Sequence, residues 1–245
     1  MPQRESTTPV YRALGFVVRK IVAPILTRRH FSGVEHVPSR GPVLVVANHI
    51  GNYDVLTLGD FLITAGRWPR FLGKSDIWKV PGLRWLATQA RQIPVERYTE
   101  RAKDALRHAQ AALEAGDLVG IYPEGTITSD PEGWPMLARN GAARLALATG
   151  VPVVPVAQHG AEDVLGGRHL QFRKLFALRR RQVRVVAGPP VDLADLGITS
   201  DPTDEQLAEA TARIMGAVTD LYATLRGGRV PQLVWDPWRE DYVER

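Results

Sequence analysis

Apolar residues fall in short uninterrupted runs along much of the chain, and between those runs the spacing becomes helical. The runs predict strands at Val43–Ala47, Arg70–Gly73, Gln92–Val95, Leu118–Tyr122, Val153–Ala157 and Val183–Ala187. Helical spacing predicts helices over Val55–Ala65, Glu100–Ala115 and Gly141–Ala148. The second of these puts Ala102, Ala105, Leu106, Ala109 and Leu113 on one face, with Thr99 as a candidate cap and Gly116 just past its end. A later helix starts at Thr203, where Gln206 three residues on completes a capping-box pattern. It runs through Leu207, Ala210, Ile214, Leu221 and Leu225 to Gly227. Strands that alternate with helices predict an α/β fold with a mostly parallel central sheet.

The opening stretch behaves differently. Val10, Leu14, Val17, Val18, Ile21, Val22 and Ile25 recur at helical spacing with basic residues on the other side, and Pro24 is expected to kink or end the first helix. Two readings stand: a helix packed on the core, or one lying in a membrane interface with its cations at lipid head groups. This divides the chain into an amphipathic segment (1–30), a main domain (31–226) and a tail (227–245), whose Trp235, Trp238 and Tyr242 are expected to pack on the body or on a partner subunit.

Composition narrows the choice. At 245 residues, 44% hydrophobic and 23% charged, the chain suits one well-buried domain and not a disordered one. It has no cysteine, which excludes disulfides, thiolate metal sites and an acyl-cysteine intermediate. No apolar run is long enough to span a bilayer, and Arg12, Arg19 and Lys20 interrupt the start too often for a signal peptide. The net charge of +5 is uneven. Residues 1–40 carry Arg4, Arg12, Arg19, Lys20, Arg28, Arg29 and Arg40 against Glu5 and Glu35. Gly167–Arg184 is basic with no acid at all. Two such patches predict an anionic partner: nucleic acid, a phospholipid surface or a phosphorylated small molecule. Nucleic acid fits poorly, because the patches lack interleaved stacking aromatics.

Four segments carry candidate chemistry. "NHIGNYD", Asn48 to Asp54, follows an apolar strand and holds a histidine and an aspartate five residues apart. It reads either as a loop with two polar residues or as a base with its orienting carboxylate, the pair meeting across a turn. "RQIPVER", Arg91 to Arg97, is a short strand between arginines able to hold a phosphate. "IYPEGTITSD", Ile121 to Asp130, ends a strand in a tight turn that is either an anion cradle or a plain connection. "VPVVPVAQHG", Val151 to Gly160, is a proline-punctuated apolar strand, a candidate pocket wall.

In that order the four segments resemble the blocks of the PlsC-type glycerolipid acyltransferases, the 1-acyl-sn-glycerol-3-phosphate acyltransferase family. Asn48, His49 and Asp54 match the N-H-x-x-x-x-D block, Arg97 the second, Pro123, Glu124, Gly125 and Thr126 the P-E-G-T block, and Val151–Val156 the fourth. The resemblance covers about residues 30–190. It implies a glycerolphosphate acyltransferase-like fold, with His49 as general base oriented by Asp54. By the same resemblance Asn48, Lys74, Arg97, Glu124, Gly125, Thr126 and Arg139 bind substrate or phosphate. Many members place an arginine after E-G-T where this chain has Ile127, so phosphate recognition is expected to rest on Lys74, Arg97 and Arg139, or the acceptor differs. The implied co-substrates are an acyl thioester donor, acyl-CoA or acyl carrier protein, and a lysophospholipid or glycerol-phosphate acceptor. No cofactor, metal or nucleic acid is expected. The implied location is the cytoplasmic face of the cell membrane, held peripherally on an anionic surface; a non-catalytic lipid-binding module is the rival reading.

Overall fold

The structure, a computed structural model, describes residues 7–96, 102–176 and 179–245. The N-terminal helix α1 (Pro9–Val17), capped by Thr8, runs into one π-helical turn (Val18–Val22) and a last short turn, α2 (Ala23–Leu26). Pro24 does not end the helix, which continues two residues past it to Leu26. The widened turn lets the Ala23 N–H reach Val18 O, so the amide that proline lacks falls at the start of a new turn, and the chain stays helical to Leu26.

Seven strands follow: β1 (Thr27–Ser32), β2 (Val43–Ala47), β3 (Arg70–Lys74), β4 (Ile93–Val95), β5 (Leu118–Ile121), β6 (Val153–His159) and β7 (Arg181–Ala187). They form one sheet in the order β1-β7-β6-β2-β5-β3-β4. Five neighbours, β6 to β4, are parallel, while β7 runs antiparallel to β6, and β1 lies parallel to β7. The sheet is mostly parallel, as expected. Helix α3 (Asp54–Thr64) covers one face, α4 (Pro81–Gln89) lies beside α1, and α5 (Ala102–Glu114), α6 (Gly141–Thr149) and α8 (Asp204–Arg226) cover the other, with the short α7 (Glu162–Leu165) between.

β2 shows why a continuous apolar run becomes a central strand. Val43, Val45 and Ala47 pack with Leu58, Phe61 and Leu62 of α3, while Leu44 and Val46 pack with Ala109, Leu113, Leu145 and Ile214 on the opposite face. Both faces are buried, so no polar alternation is needed. At Thr203 the capping box forms reciprocally with Gln206. Thr99, the candidate cap of the helix at 102–114, lies outside the described residues.

Several elements escaped the pattern, the short α7 among them. β1, with the sequence TRRHFS, is an edge strand whose exposed Arg28, Arg29 and His30 hide its pairing to β7. α4 has a broken apolar stripe. The tail forms a hairpin, β8 (Leu233–Asp236) with β9 (Asp241–Glu244), against the loop after β5: Trp235 Nε1 donates to Ser129 Oγ at 3.0 Å. No helix among the described residues is long and apolar enough to cross a membrane.

Candidate active site

The connections of two adjacent strands leave the sheet in opposite directions. After β2 the chain crosses one face through α3 to β3; after β5 it crosses the other through α6 to β6. Their carboxyl ends therefore part around a crevice, the place where open α/β sheets hold ligands. The loop Asn48–Tyr53 forms one lip and Pro123–Ser129 the other.

On the first lip, His49 and Asp54 meet. His49 Nδ1 lies 2.7 Å from Asp54 Oδ2. Asp54 is the first residue of α3 and turns its carboxylate back, so that the same oxygen accepts the Ile50 N–H at 2.6 Å and the Gly51 N–H at 2.8 Å. The intervening residues wrap around a carboxylate, and this closes a five-residue gap that no straight helix face would span. The negative charge also sits at a helix N-terminus, where the macrodipole favours it. Asp54 is fully buried, whereas His49 keeps 14% of its side-chain surface exposed. A base needs that partial access. Because Asp54 takes Nδ1, Nε2 is the nitrogen left for chemistry.

The rest of the site holds this loop in place. Glu124, buried, accepts the His49 N–H on Oε1 at 2.8 Å and the Met136 N–H on Oε2 at 3.0 Å, bridging the two lips. Burial pushes its carboxyl up to about 8 against the pull of those two donors, and the nearby Asp54 charge adds to the rise. Asn48, also buried, donates through Nδ2 to Gln158 O and accepts the Gln158 N–H on Oδ1, while Gln158 Nε2 donates to Asn48 O. The sequence had grouped Asn48 and Glu124 with substrate or phosphate binding. In the structure both side chains spend these polar atoms on backbone and hold the loop in place.

His49 stacks on Tyr122, with ring centroids 4.3 Å apart, and Tyr122 faces Phe71 at 6.3 Å. Gly120 makes this stack possible, because a Cβ there would lie 2.5 Å from the Phe71 ring. Neither Tyr122 nor Phe71 was singled out in the sequence, where both look like ordinary strand residues. Gln158 was detectable in principle as the one amide in an otherwise apolar strand.

Phe71 also lines an apolar cavity of about 260 Å³ between α1, α3, β3 and α4, walled by Leu14, Val55, Ile63, Trp78 and Leu83 among others. Val55, Ile77 and Leu83 at its rim are themselves exposed. The predicted phosphate-binding residues are more dispersed. Lys74 ends β3, exposed and paired with Asp76, and stands in register with Val95 of β4. Arg97 lies outside the described residues. Gly125 adopts a left-handed conformation at φ 72°, its N–H bonded to Tyr122 O, and half-buried Thr126 follows it. Arg139 reaches over Gly125, with Nε 3.6 Å from where a Cβ would be, and its guanidinium lies 5.3 Å from the centre of the Trp238 ring. The tail thus contributes to the site, which the sequence did not indicate.

Comparison with known proteins agrees with this geometry. The acyltransferase family model matches residues 28–159, from the second residue of β1 to the last of β6. A chloroplastic 1-acyl-sn-glycerol-3-phosphate acyltransferase of Brassica napus is 28% identical over 73% of this chain and 49% of its own length. The 1-acyl-sn-glycerol-3-phosphate acyltransferase of Bacillus subtilis is 25% identical over 76% of this chain and 84% of its own. The chain spans about half the length of the plant relatives it matches. In fold, it superimposes on the crystal structure of the 1-acyl-sn-glycerophosphate acyltransferase PlsC from Thermotoga maritima with a TM-score of 0.65 and 21% identity, covering 90% of this chain and 81% of that one. The motifs, the matched span and the sheet agree: the chain belongs to the acyltransferase family.

Proposed function

We propose that this protein transfers a fatty acyl group from a thioester, acyl-CoA or acyl carrier protein, to the free hydroxyl of a 1-acyl-glycerol-3-phosphate or a close glycerolipid relative. His49 Nε2 takes the hydroxyl proton as the oxygen attacks the thioester carbonyl. Asp54 holds the ring and stabilises the imidazolium that forms. The tetrahedral intermediate then expels the thiolate, which takes the proton back from His49 and leaves as a thiol. An ester has formed and a thioester has broken, with no covalent enzyme intermediate. The Gly125 N–H is already committed to Tyr122 O, so the oxyanion is assigned to the backbone donors that follow it, at Thr126 and Ile127.

One observation carries this reading above a lipid-binding module. The His49–Asp54 pair is connected through stacked Tyr122 and Phe71 to the wall of an apolar cavity, so a base and a hydrocarbon site adjoin. We assign the acyl chain to that cavity, and the acceptor phosphate to Lys74, Arg97 and Arg139. Phe16, Ile21 and Ile25 are exposed on the N-terminal helices, and Leu83 and Trp85 on α4, which lies beside α1. Arg12, Lys20, Arg28 and Arg84 of the same segments are exposed too. This supports peripheral seating on an anionic leaflet. On the cytoplasmic side, acyl thioesters would be at hand.

The test is to mix protein, palmitoyl-CoA and lysophosphatidate and follow free thiol together with phosphatidate by mass. Stoichiometric thiol and phosphatidate that vanish in His49→Ala support the proposal. Lipid binding without turnover would favour the module, and a panel including glycerol 3-phosphate identifies a different acceptor.

A further inference from the structure

We infer that the turn Gly167–Phe176, with Arg179 and Arg180, is a second lipid-contacting element that enters an anionic membrane surface beside the catalytic loop. It extends the membrane seating proposed above to a part of the chain remote from the N-terminal helices, and its test does not depend on the reaction.

The reversed strands place this element. Because β7 and β1 run against the other five, their first residues, Arg181 and Thr27, lie at the edge of the sheet where β2 and β6 end. The segments that feed them, Phe172–Phe176 and α2, therefore both arrive at the edge that carries His49. Their contacts confirm the placement. The side-chain amide of Asn52, in the catalytic loop, donates to Gly167 O, and the Asn52 N–H donates to Gly166 O at 3.0 Å. On the other side, Arg180 Nη1 donates to Pro24 O at 3.3 Å, and Leu175 packs with Leu26 against the cluster of Tyr53, Ala161, Val164 and Val183.

Leu175, and Lys174 whose Nζ donates to Glu162 O at 3.0 Å, hold this turn to the body; the large apolar side chains beside them face water. Leu170 is 56% exposed, Phe172 62% and Phe176 85%. Three large apolar side chains on one short turn would be an aggregation liability without an apolar partner. Arg168, Arg173, Arg179 and Arg180 are exposed around them, and no acid occurs between Gly167 and Arg184. Apolar tips fringed by guanidinium groups fit the boundary between acyl chains and anionic head groups. The surface also continues into Ile25 and Arg28 of the N-terminal segment. A lipid leaflet matches both the charge and this continuity.

The native chain has no cysteine, so single labels are clean. Phe176→Cys carrying an environment-sensitive fluorophore is titrated with vesicles of phosphatidylcholine and phosphatidylglycerol at 3:1, and with phosphatidylcholine alone. Ile198→Cys, 73% exposed and next to Gly150 at the opposite edge of the sheet, is the control. The expected result is a blue shift at position 176 on the anionic vesicles and none at 198. Phe172→Ser/Phe176→Ser and Arg173→Gln/Arg179→Gln should each weaken vesicle partitioning about tenfold or more. Their melting curves should not move, because these side chains support no core. The inference is overturned by no shift at 176, by an equal shift at 198, by unchanged partitioning of both variants, or by a 176 label that responds to acyl carrier protein without vesicles. Turnover is measured separately with detergent-dispersed lysophosphatidate. Insertion without turnover would remove the acyltransferase reading and leave this one, and turnover without insertion the reverse.

Discussion

Asp54→Asn separates catalysis from folding at this site. In the wild type one carboxylate oxygen accepts from His49 Nδ1, Ile50 N and Gly51 N. An asparagine oxygen can occupy the same point and keep the two backbone bonds as neutral ones, so the loop should survive at a cost of about 2 kcal/mol in stability. What it cannot keep is the negative charge facing the imidazolium. Two unit charges about 4 Å apart interact by about 4 kcal/mol at an effective dielectric near 20, and that stabilisation exists only once His49 has taken the proton. The rate should therefore fall about 10³-fold, with KM little changed. The assay is continuous thiol release at saturating thioester and acceptor, with a melting curve on the same sample. The double variant His49→Ala/Asp54→Asn makes the test sharper: if the aspartate works through the imidazole, it should be no slower than His49→Ala alone. Asp54→Asn within tenfold of wild type in rate, or losses that multiply in the double variant, would refute the reasoning.

Glu124→Gln keeps one acceptor but turns an NH2 group toward a second buried N–H, so it should cost about 1–3 kcal/mol and slow turnover by loosening the His49 backbone. Because the folded Glu124 holds its proton up to about 8 while the unfolded residue ionises near 4.5, wild-type stability should decline as pH rises across that window. Gln does not titrate, so urea melts at pH 5 and pH 8 should show the gap between the two proteins narrowing with pH. Ala87→Phe, on the cavity wall, should move the preferred acyl chain to a shorter length, each methylene left outside forfeiting about 0.8 kcal/mol, or fourfold in affinity; competition between thioesters of graded length reads this. Asp60 is buried and accepts Arg19 Nε at 2.9 Å and Arg29 Nη1 at 2.5 Å, tying the N-terminal helix and β1 to α3. Asp60→Asn should cost about 1–2 kcal/mol, after discounting for two partly exposed arginines, and should speed proteolysis near residues 19–29. Gly120→Ala should drive a methyl into the Phe71 ring, destabilise by about 1–3 kcal/mol and lower the rate through the ring stacked on His49.

The sequence alone determined the elements whose physics is local or one-dimensional. A five-residue apolar run between turn signals can hardly be anything but a doubly covered strand, and β2 begins and ends where its pattern does. The Thr203–Gln206 cap is a three-residue interaction, legible without neighbours. The order of the four motifs carried the family. Tertiary structure decided the rest. β1 looks like a charged loop because edge strands avoid apolar exposure, and only β7 makes it a strand. Whether His49 and Asp54 meet depended on a loop wrapping a buried carboxylate, which no spacing rule encodes. Asn48 and Glu124 matched the motifs but hold backbone, because each found a partner on a distant segment, 110 and 75 residues away. The cavity and the placing of the 167–176 turn beside the His49 loop arise from strand order and direction, which are set by long-range packing and not by any window of residues.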